Sequence, residues 1–316
     1  FLNNENGPNF LFRNNGDGTF IECAEESGVS DPDEHGRGVA VLDADGDGLL
    51  DLVCGNWEGP NRLFMQNAKR TFSNLAPLEM AHPSTVRTVI AADFDNDGNL
   101  DLVVGRGPYL YWNRGNWATP NAEHFTVAPL NATLGPNDGG SVVTGDFNGD
   151  GFIDLAVGGT FRRAGLYLNH GKRSFTHQWL STRGEWTNGF FAIDLDRDGD
   201  LDLLTGPYGS ALINDGHGVF VPHRGFSDLP QVGVLAVPVG LDAHFLGDLN
   251  SDGLADAIGD VKYSASIGAP PCLALQTQQA AYPQIKLAPL DKTVLDGPYA
   301  SPQIFAAGAI TFTYTL

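Results

Sequence analysis

The sequence DADGDGLLDL, which begins at Asp43, carries acidic residues at positions 1, 3, 5 and 9 of a ten-residue run. Carboxylates at this spacing repel one another unless a cation lies between them. Oxygen ligands at alternate positions suit a hard cation such as Ca²⁺, which takes about six to eight oxygens in irregular geometry. We therefore expect Ca²⁺ to be bound by the carboxylates of Asp43, Asp45, Asp47 and Asp51 and by the carbonyl of Leu49.

Four more copies of this run follow, beginning at Asp93, Asp146, Asp194 and Asp248 and separated by steps of 50, 53, 48 and 54 residues. Position 6 is glycine in every copy, which predicts a turn with positive φ. The ligands predicted by equivalence are Asp93, Asp95, Asp97, Asn99 and Asp101; Asp146, Asn148, Asp150, Phe152 and Asp154; Asp194, Asp196, Asp198, Asp200 and Asp202; and Asp248, Asn250, Asp252, Leu254 and Asp256.

The first half of each run is similar to an EF-hand loop, but position 12 lacks the bidentate glutamate that an EF-hand needs. The residues at position 12 are Cys54, Val104, Val157, Thr205 and Gly259. The fourth acid comes instead at position 9 and leads directly into an apolar, strand-like segment. The pattern therefore favours a strand–loop–strand site over a calmodulin-like helix pair.

The charge of the chain agrees with occupied metal loops. Acidic residues outnumber basic residues 38 to 18, for a net charge of −20, and positions 1, 3, 5 and 9 of the five loops hold 18 of those acids. We expect about five Ca²⁺ ions, one per loop, with weaker binding where Asn148 and Asn250 replace an acid. The negative charge argues against nucleic acid and anionic membranes as partners, and the longest apolar run, residues 232–241, is too short for membrane insertion.

The segments around each loop predict four short strands per repeat, separated by glycine and asparagine turns. Four-stranded units at a period of about 50 residues are typical of a β-propeller. We predict an all-β propeller with the calcium loop between the first and second strand of each blade, six blade units being visible and six or seven forming the closed ring. The predicted units are a partial blade at 1–30 and blades at about 31–80, 81–133, 134–183, 184–232 and 233–290, which make a propeller over 1–290, and a tail at 291–316.

Residues 1–20 align with residues 53–72 at an offset of 52, so the chain begins within a blade. We expect the strand-like segment 304–316 to close the ring by completing this blade. Two alternatives stay open, which are an upstream segment that supplies the missing strand of a larger ring, and exchange of segment 304–316 between copies during self-assembly.

These loops and strands resemble the FG-GAP/VCBS repeats of integrin-like β-propellers. Residues 4–20, 28–40, 55–64 and 86–98 also resemble the cartilage acidic protein family, a likeness that covers roughly the first third of the chain. The resemblance implies an extracellular or cell-surface calcium-binding propeller, and secretion or surface display but no reaction. In that context Asn131, in the sequon Asn-Ala-Thr, is a candidate glycosylation site.

The function predicted is that of a module for adhesion, protein interaction or assembly of a matrix or filament, whose partner is an extracellular protein or glycan. The alternative is a lectin-like propeller, for which Trp57 and Trp117 in Gly/Asn-rich segments are the candidate sugar-stacking residues. No hydrolase, metalloprotease or P-loop motif occurs, so we do not expect an enzyme. For His35 and Arg37, in the run HGRG, we expect a role in a turn or in hydrogen bonding between blades. The three cysteines, Cys23, Cys54 and Cys272, allow either a Cys23–Cys54 disulfide or three buried thiols.

Overall fold

The computed structural model describes most of the chain up to residue 223 and the backbone of four later strands. The described residues are 1–78, 80–82, 84–104, 109–119, 123–130, 141–158, 164–180, 189–196, 198–206, 210–223, 241–247, 256–261, 271–274 and 288–289. This part of the chain is all-β apart from one helical turn, α1, at Ala24–Ser27. No helix in it is both long enough and apolar enough to cross a membrane.

The strands form one two-stranded sheet and five sheets of four strands in sequence order, with neighbouring strands antiparallel. One further strand, β7 (Ser84–Thr85), pairs with β4 at the end of the second sheet. The sheets comprise β1 (Phe12–Asn14) and β2 (Phe20–Glu22); β3 (Gly36–Leu42), β4 (Asp51–Gly59), β5 (Arg62–Gln66) and β6 (Phe72–Asn74); β8 (Val89–Ala92), β9 (Asp101–Val104), β10 (Tyr109–Asn113) and β11 (Phe125–Pro129); β12 (Val142–Gly145), β13 (Asp154–Val157), β14 (Gly165–Asn169) and β15 (Phe175–Trp179); β16 (Gly189–Ile193), β17 (Asp202–Gly206), β18 (Ser210–Asn214) and β19 (Phe220–His223); and β20 (Leu241–Gly247), β21 (Asp256–Val261), β22 (Pro271–Ala274) and β23 (Ala288–Pro289).

In the third and fourth sheets, the second strand has the most buried sequence. Every residue of β9 (DLVV) and of β13 (DLAV) is buried, because each strand has a neighbour on both edges and an apolar layer on both faces. Aliphatic residues without alternation are typical of such strands. The carboxylates that begin these strands are therefore held in a dry, rigid part of the sheet.

The apolar cores lie between successive sheets. Phe94, which follows β8, packs with Leu110 of its own sheet and with Leu155 and Tyr167 of the next sheet. The first strands of successive sheets also contact one another, β3 with β8, β8 with β12, and β12 with β16. The sheets are thus stacked face to face with their first strands on a common side.

The N-terminal segment repeats the hydrogen bonds of the next unit at an offset of 52 residues, which supports the alignment made from sequence. The Asn4 backbone N–H donates to Asn9 Oδ1 (2.9 Å), as the Asn56 N–H does to Asn61 Oδ1 (2.8 Å). Asn9 Nδ2 donates to the carbonyl of Val29, and Asn61 Nδ2 donates to the carbonyl of Met80 (both 3.1 Å). Closure of the sheets into a ring stays a prediction, because residues 290–316 lie outside the described residues.

The cysteines of the described side chains do not form the Cys23–Cys54 disulfide. Both thiols are free and buried, and burial raises the pKa of the Cys54 thiol. Cys54 lies in the fully buried part of β4, where it packs as a small apolar side chain with Leu52 and Phe64. Cys272 lies on β22, whose side chains are outside the described part.

Candidate metal sites

Four of the five acidic runs lie where the sequence predicts them, between the first and second strands of a sheet. The loops that they form are called here loops 1 to 4 and comprise residues 43–51, 93–101, 146–154 and 194–202. The fifth run, with Asp248, Asn250, Asp252 and Leu254, lies outside the described residues, and Asp256 is described only as the first residue of β21.

The first aspartate of each loop organises the loop backbone. In loop 2, Asp93 Oδ2 accepts a hydrogen bond from the Gly98 N–H (2.9 Å) and Oδ1 accepts one from the Asp97 N–H (3.1 Å). The glycine at position 6 has φ of 84°, 89°, 86° and 98° in the four loops, as predicted for this turn. Glycine adopts this conformation without the steric cost that a Cβ brings, so the turn can fold the loop over its own carboxylates.

In three loops, the carboxylates at positions 1, 3 and 9 are close enough to hold one metal ion. In each group one oxygen from each residue lies within 4.8 Å of the others. Loop 3 has Asn148 at position 3, so it offers two carboxylates and an amide oxygen there. The groups are Asp43, Asp45 and Asp51; Asp93, Asp95 and Asp101; and Asp194, Asp196 and Asp202.

The predicted ligands at position 5 are not part of these groups. Asp47, Asp97, Asp150 and Asp198 each accept a hydrogen bond from the backbone N–H two residues later, at 2.8 to 2.9 Å. The residues at that later position, Leu49, Asn99, Phe152 and Asp200, are thereby held in the same turn. Their role as carbonyl ligands stays a prediction.

The aspartate at position 9 is buried in every described loop and joins the loop to the third strand of its sheet. Asp101 Oδ2 accepts a hydrogen bond from the Phe94 N–H (3.1 Å), and Oδ1 accepts one from the Asn113 N–H (2.7 Å). Asp154 makes the equivalent bonds, to the N–H groups of Phe147 and Asn169, at 2.9 and 2.7 Å. These carboxylates therefore have a structural role whether or not a metal is bound.

Burial opposes the ionised form of these aspartates. Desolvation raises the pKa of Asp101 to about 7 and those of Asp154 and Asp202 to about 6, and the other acids of each loop act in the same direction. The hydrogen bonds from backbone N–H groups act against this rise. A divalent cation within the loop would stabilise the charged form, as an opposite charge does for any buried carboxylate.

Loop 2 gives the most direct evidence that a cation fits. The Asp95 side chain is only 9% exposed, and its Oδ2 accepts a hydrogen bond from Arg173 Nε (2.8 Å), which belongs to the next sheet. Its Oδ1 is buried and has no hydrogen-bond donor. A buried oxygen in this state costs free energy, and a cation held by Asp93, Asp95 and Asp101 would satisfy it.

Sequence reasoning missed the asparagines that bind loops 1, 2 and 3 to the sheet that follows each of them. Asn113 Nδ2 donates to the carbonyl of Ala44 (2.8 Å), and Asn169 Nδ2 to that of Phe94 (2.6 Å). Asn214 Nδ2 donates in the same way to the carbonyl of Phe147 (2.8 Å). The signal in the sequence is the asparagine that ends the third strand of repeat after repeat, in LYWN, LYLN and ALIN.

The tryptophans named as candidate sugar platforms occupy different environments. Trp117 donates its indole N–H to Asn113 Oδ1 (3.1 Å) and stacks on His124 at a centroid distance of 4.0 Å, so both its polar group and one ring face are used internally. Trp57 is half-buried beside two arginines. Asn131 lies outside the described residues.

His35 and Arg37 contact the N-terminal segment, which confirms the hydrogen-bonding role expected for them. His35 Nδ1 lies 2.7 Å from the carbonyl oxygen of Glu5, and Arg37 Nη2 donates to the Glu5 carboxylate. The two residues thus join the second sheet to the segment predicted to be part of the preceding blade.

Comparison with protein families matches residues 1–54, 43–104 and 146–205 to the FG-GAP-like repeat, which together is just over half of the chain. The chain belongs to the FG-GAP-like repeat family. The first matched segment contains loop 1, the second contains loops 1 and 2, and the third contains loops 3 and 4. The family assignment and the loop geometry therefore concern the same residues.

Two curated relatives carry the name cartilage acidic protein 1. The chain is 42% identical to the Xenopus tropicalis protein over 204 residues and to the human protein over 205 residues, in each case covering 61% of this chain. The likeness therefore extends well past the first third of the chain to which the sequence motifs assigned it. This chain spans about a third of the length of these relatives, 31% in each case.

Among solved structures, the biofilm matrix protein Bap1 of V. cholerae is similar over 77% of this chain and 38% of its own, with 18% identity and a TM-score of 0.47. The BBS1N chain of a complex with ARL6DN matches over 73% of this chain and 65% of its own, with 16% identity and a TM-score of 0.43. Likeness at this level carries no argument about function.

Proposed function

We propose that this chain is a calcium-stabilised β-propeller that serves as an extracellular module for adhesion or matrix assembly. Calcium holds the first and second strands of each blade together. The asparagine that ends the third strand of a blade binds the loop of the preceding blade. The ions are fasteners in this proposal, and partner recognition takes place on other surfaces.

The observation that carries the calcium proposal is the repeated convergence of three carboxylates, at positions 1, 3 and 9, in loops 1, 2 and 4. Such groups are destabilising without a cation, since like charges lie within a few ångströms of one another in a partly dry site. In loop 2, the Oδ1 atom of Asp95 is buried and accepts no hydrogen bond, so it is available as a metal ligand. Carboxylate oxygens on a flexible loop suit Ca²⁺ better than Mg²⁺, which demands near-octahedral geometry.

The propeller proposal rests on the stacking of the sheets. Five four-stranded antiparallel sheets follow one another in sequence order, and the first strands of successive sheets contact one another. First strands at the centre and fourth strands at the periphery are the arrangement of propeller blades.

Isothermal titration of Ca²⁺ into the calcium-free chain tests the metal sites. We expect the wild-type chain to bind several ions, and Asp93→Asn to lose one of them. Asp17→Asn is the control, because Asp17 lies in a glycine-containing turn outside loops 1 to 4, is exposed and accepts hydrogen bonds only from Thr19 among the described residues. Absence of binding heat in the wild type, or equal loss in both variants, would contradict the proposal.

The extracellular assignment is supported by the relatives, whose name, cartilage acidic protein 1, associates them with cartilage. We propose that the chain is exported and that its partner is an extracellular protein. Expression behind a heterologous signal peptide tests this, with the chain expected in the calcium-containing matrix fraction and released by chelator. Recovery only in the soluble medium, with or without calcium, would count against a matrix role.

We propose a non-enzymatic role because the described carboxylate clusters are held by backbone hydrogen bonds and would be committed to a metal. The lectin alternative loses Trp117, whose ring is engaged by Asn113 and His124. A glycan array in calcium-containing buffer separates the two readings, since strong binding of one glycan class would favour the lectin.

A further inference from the structure

Two arginines occupy the same position in successive repeats. Arg37 and Arg87 each stand six residues before the first aspartate of their loop, whereas the later repeats have Gly140, Asn188 and Asp242 there. Arg37 is the second residue of β3, and Arg87 lies two residues before β8, so both arginines lie at the ends of the sheets opposite the metal loops. In β3 and β4, for example, Gly36 pairs with Asn56 at this end, and Leu42 pairs with Asp51 beside loop 1.

The close approach of β3 and β8 brings the two arginines together. A Cβ placed on Gly38 would lie 2.9 Å from the carbonyl oxygen of Arg87 and 2.8 Å from the Val89 nitrogen. Only glycine allows the strands to come this close, since a side chain at residue 38 would have to displace backbone atoms. The sequence Gly36-Arg37-Gly38 therefore positions one arginine directly beside the start of the next repeat.

Trp57 gives the two guanidinium groups a common surface. The Cζ atom of Arg37 lies 5.3 Å from the ring centroid, and that of Arg87 lies 5.0 Å from it. Both distances are within the range of a cation–π interaction. The Trp57 backbone N–H donates to the carbonyl of His35 (2.8 Å), which fixes the strand that carries the ring.

The positive charge at this place is only partly neutralised. Arg37 is paired with Glu5, yet its Nε is buried and has no hydrogen-bond acceptor. Arg87 is exposed and has no carboxylate within salt-bridge distance among the described residues. Burial, and then the charge of Arg37, lower the pKa of Arg87, and Glu5 acts in the opposite direction. Among the described residues, Arg37, Arg87 and Glu5 leave one positive charge without an ion-pair partner, on a chain whose net charge is −20.

We propose that Arg37, Arg87 and Trp57 form a recognition site for a single carboxylate, of the kind that an aspartate or glutamate side chain of a partner protein carries. Guanidinium groups bind carboxylates through their N–H donors, and Arg37 Nη2 already donates to the Glu5 carboxylate while its Nε is left without an acceptor. One uncompensated charge matches one carboxylate. Polyanions such as nucleic acids and sulfated glycans are repelled by the acidic surface of the chain.

The inference names the contact surface of the proposed adhesion module and so rests on that proposal, but it is tested separately from calcium binding. The probe is N-acetyl-glutamate amide, which has one carboxylate, and the control is the neutral N-acetyl-glutamine amide. Both are titrated at constant ionic strength and saturating Ca²⁺, and the Nε–H resonances of arginine and tryptophan are followed by NMR.

We expect saturable shifts at Arg37, Arg87 and Trp57 with the glutamate probe, with Kd on the order of millimolar because the site is partly exposed. Arg87→Gln, an exposed substitution, should raise Kd at least about tenfold. The control Arg70→Gln removes an exposed arginine from the turn between β5 and β6, in the sheet that carries Arg37 and Trp57. This substitution should leave Kd unchanged.

Three results would overturn the site, which are equal shifts with the neutral probe, unchanged affinity in Arg87→Gln, or tighter binding of inorganic phosphate than of the glutamate probe. Because calcium is held constant throughout, any of them would leave the metal-site proposal standing. Absence of binding heat in the Ca²⁺ titration of the wild-type chain would be a separate failure, of the metal-site proposal alone.

Discussion

Replacement of Asn169 by alanine should destabilise the chain through one buried side chain. Asn169 is fully buried, and its Nδ2 donates to the carbonyls of Phe94 (2.6 Å) and Ile153 (3.1 Å). Its Oδ1 accepts a hydrogen bond from the Gly171 N–H (3.0 Å). Alanine would leave two carbonyls and one N–H without these partners at the junction of two sheets.

The expected magnitude follows from the number of groups left unpaired. Each buried polar group without a partner costs about 1–3 kcal/mol, less where water can reach it. Because the Ile153 carbonyl is only partly buried, we expect a loss of about 2–4 kcal/mol in the free energy of unfolding. Asn169→Asp should lose at least as much, since its carboxylate would face the two carbonyls.

Urea unfolding in saturating Ca²⁺, followed by both fluorescence and circular dichroism, measures this loss and checks that the two transitions coincide. Asn67→Ala is the control, because Asn67 lies directly after β5, the third strand of its sheet, but is exposed and bonds only within its own turn. The control should change stability by less than about 1 kcal/mol. If Asn169→Ala and Asn67→Ala were equally stable, the proposed link between sheets would be refuted.

Two further predictions concern the loops themselves. In calcium-depleted buffer, the free energy of unfolding should fall as pH rises from about 4 to 7. Burial raises the pKa of Asp101 to about 7 and those of Asp154 and Asp202 to about 6. The folded chain therefore binds more protons than the unfolded chain in this pH range and loses stability as those protons leave. Saturating Ca²⁺ should reverse that slope, since protons then compete with the ion; urea unfolding at pH 5 and pH 7.5 measures both signs, and the same slope in both buffers would contradict the reasoning. Gly98→Ala should lower the free energy of unfolding by about 1–2 kcal/mol, because φ is 89° at this position and alanine is strained there. An added Cβ would meet no atom within 4 Å, so backbone strain and not a steric clash would be the cause. An unchanged urea midpoint would contradict this prediction.

The sequence alone predicted the features that repeat locally. The five acidic runs, their glycine turns and the flanking strands recur at a constant period, so their place between the first and second strands follows from self-similarity. The offset of 52 residues likewise aligned Asn9 with Asn61, and in the structure the side-chain amides of both donate to backbone carbonyls. In each case the interacting groups are close in sequence, or are copies of groups that are.

The sequence did not predict contacts whose partners are distant. The asparagines that end the third strands bond to carbonyls 67 to 75 residues away. A backbone carbonyl has no sequence signature, so only the recurrence of asparagine hinted at a role. The cluster of Arg37, Arg87 and Trp57 likewise depends on how closely two sheets pack, which a repeat pattern does not specify. Exclusion of the Cys23–Cys54 disulfide also required the structure, because spacing alone allowed both alternatives.

The central claim is that Ca²⁺ fastens the sheets, and thermal unfolding with and without a calcium chelator at equal ionic strength tests it most directly. An ion at about 100 times its Kd stabilises the folded state by about 2.7 kcal/mol per site. With three converging carboxylate groups in the described part of the chain, we predict a melting temperature that is clearly lower in chelator and is restored by added Ca²⁺. A melting temperature that is the same in chelator and in Ca²⁺ would contradict the account.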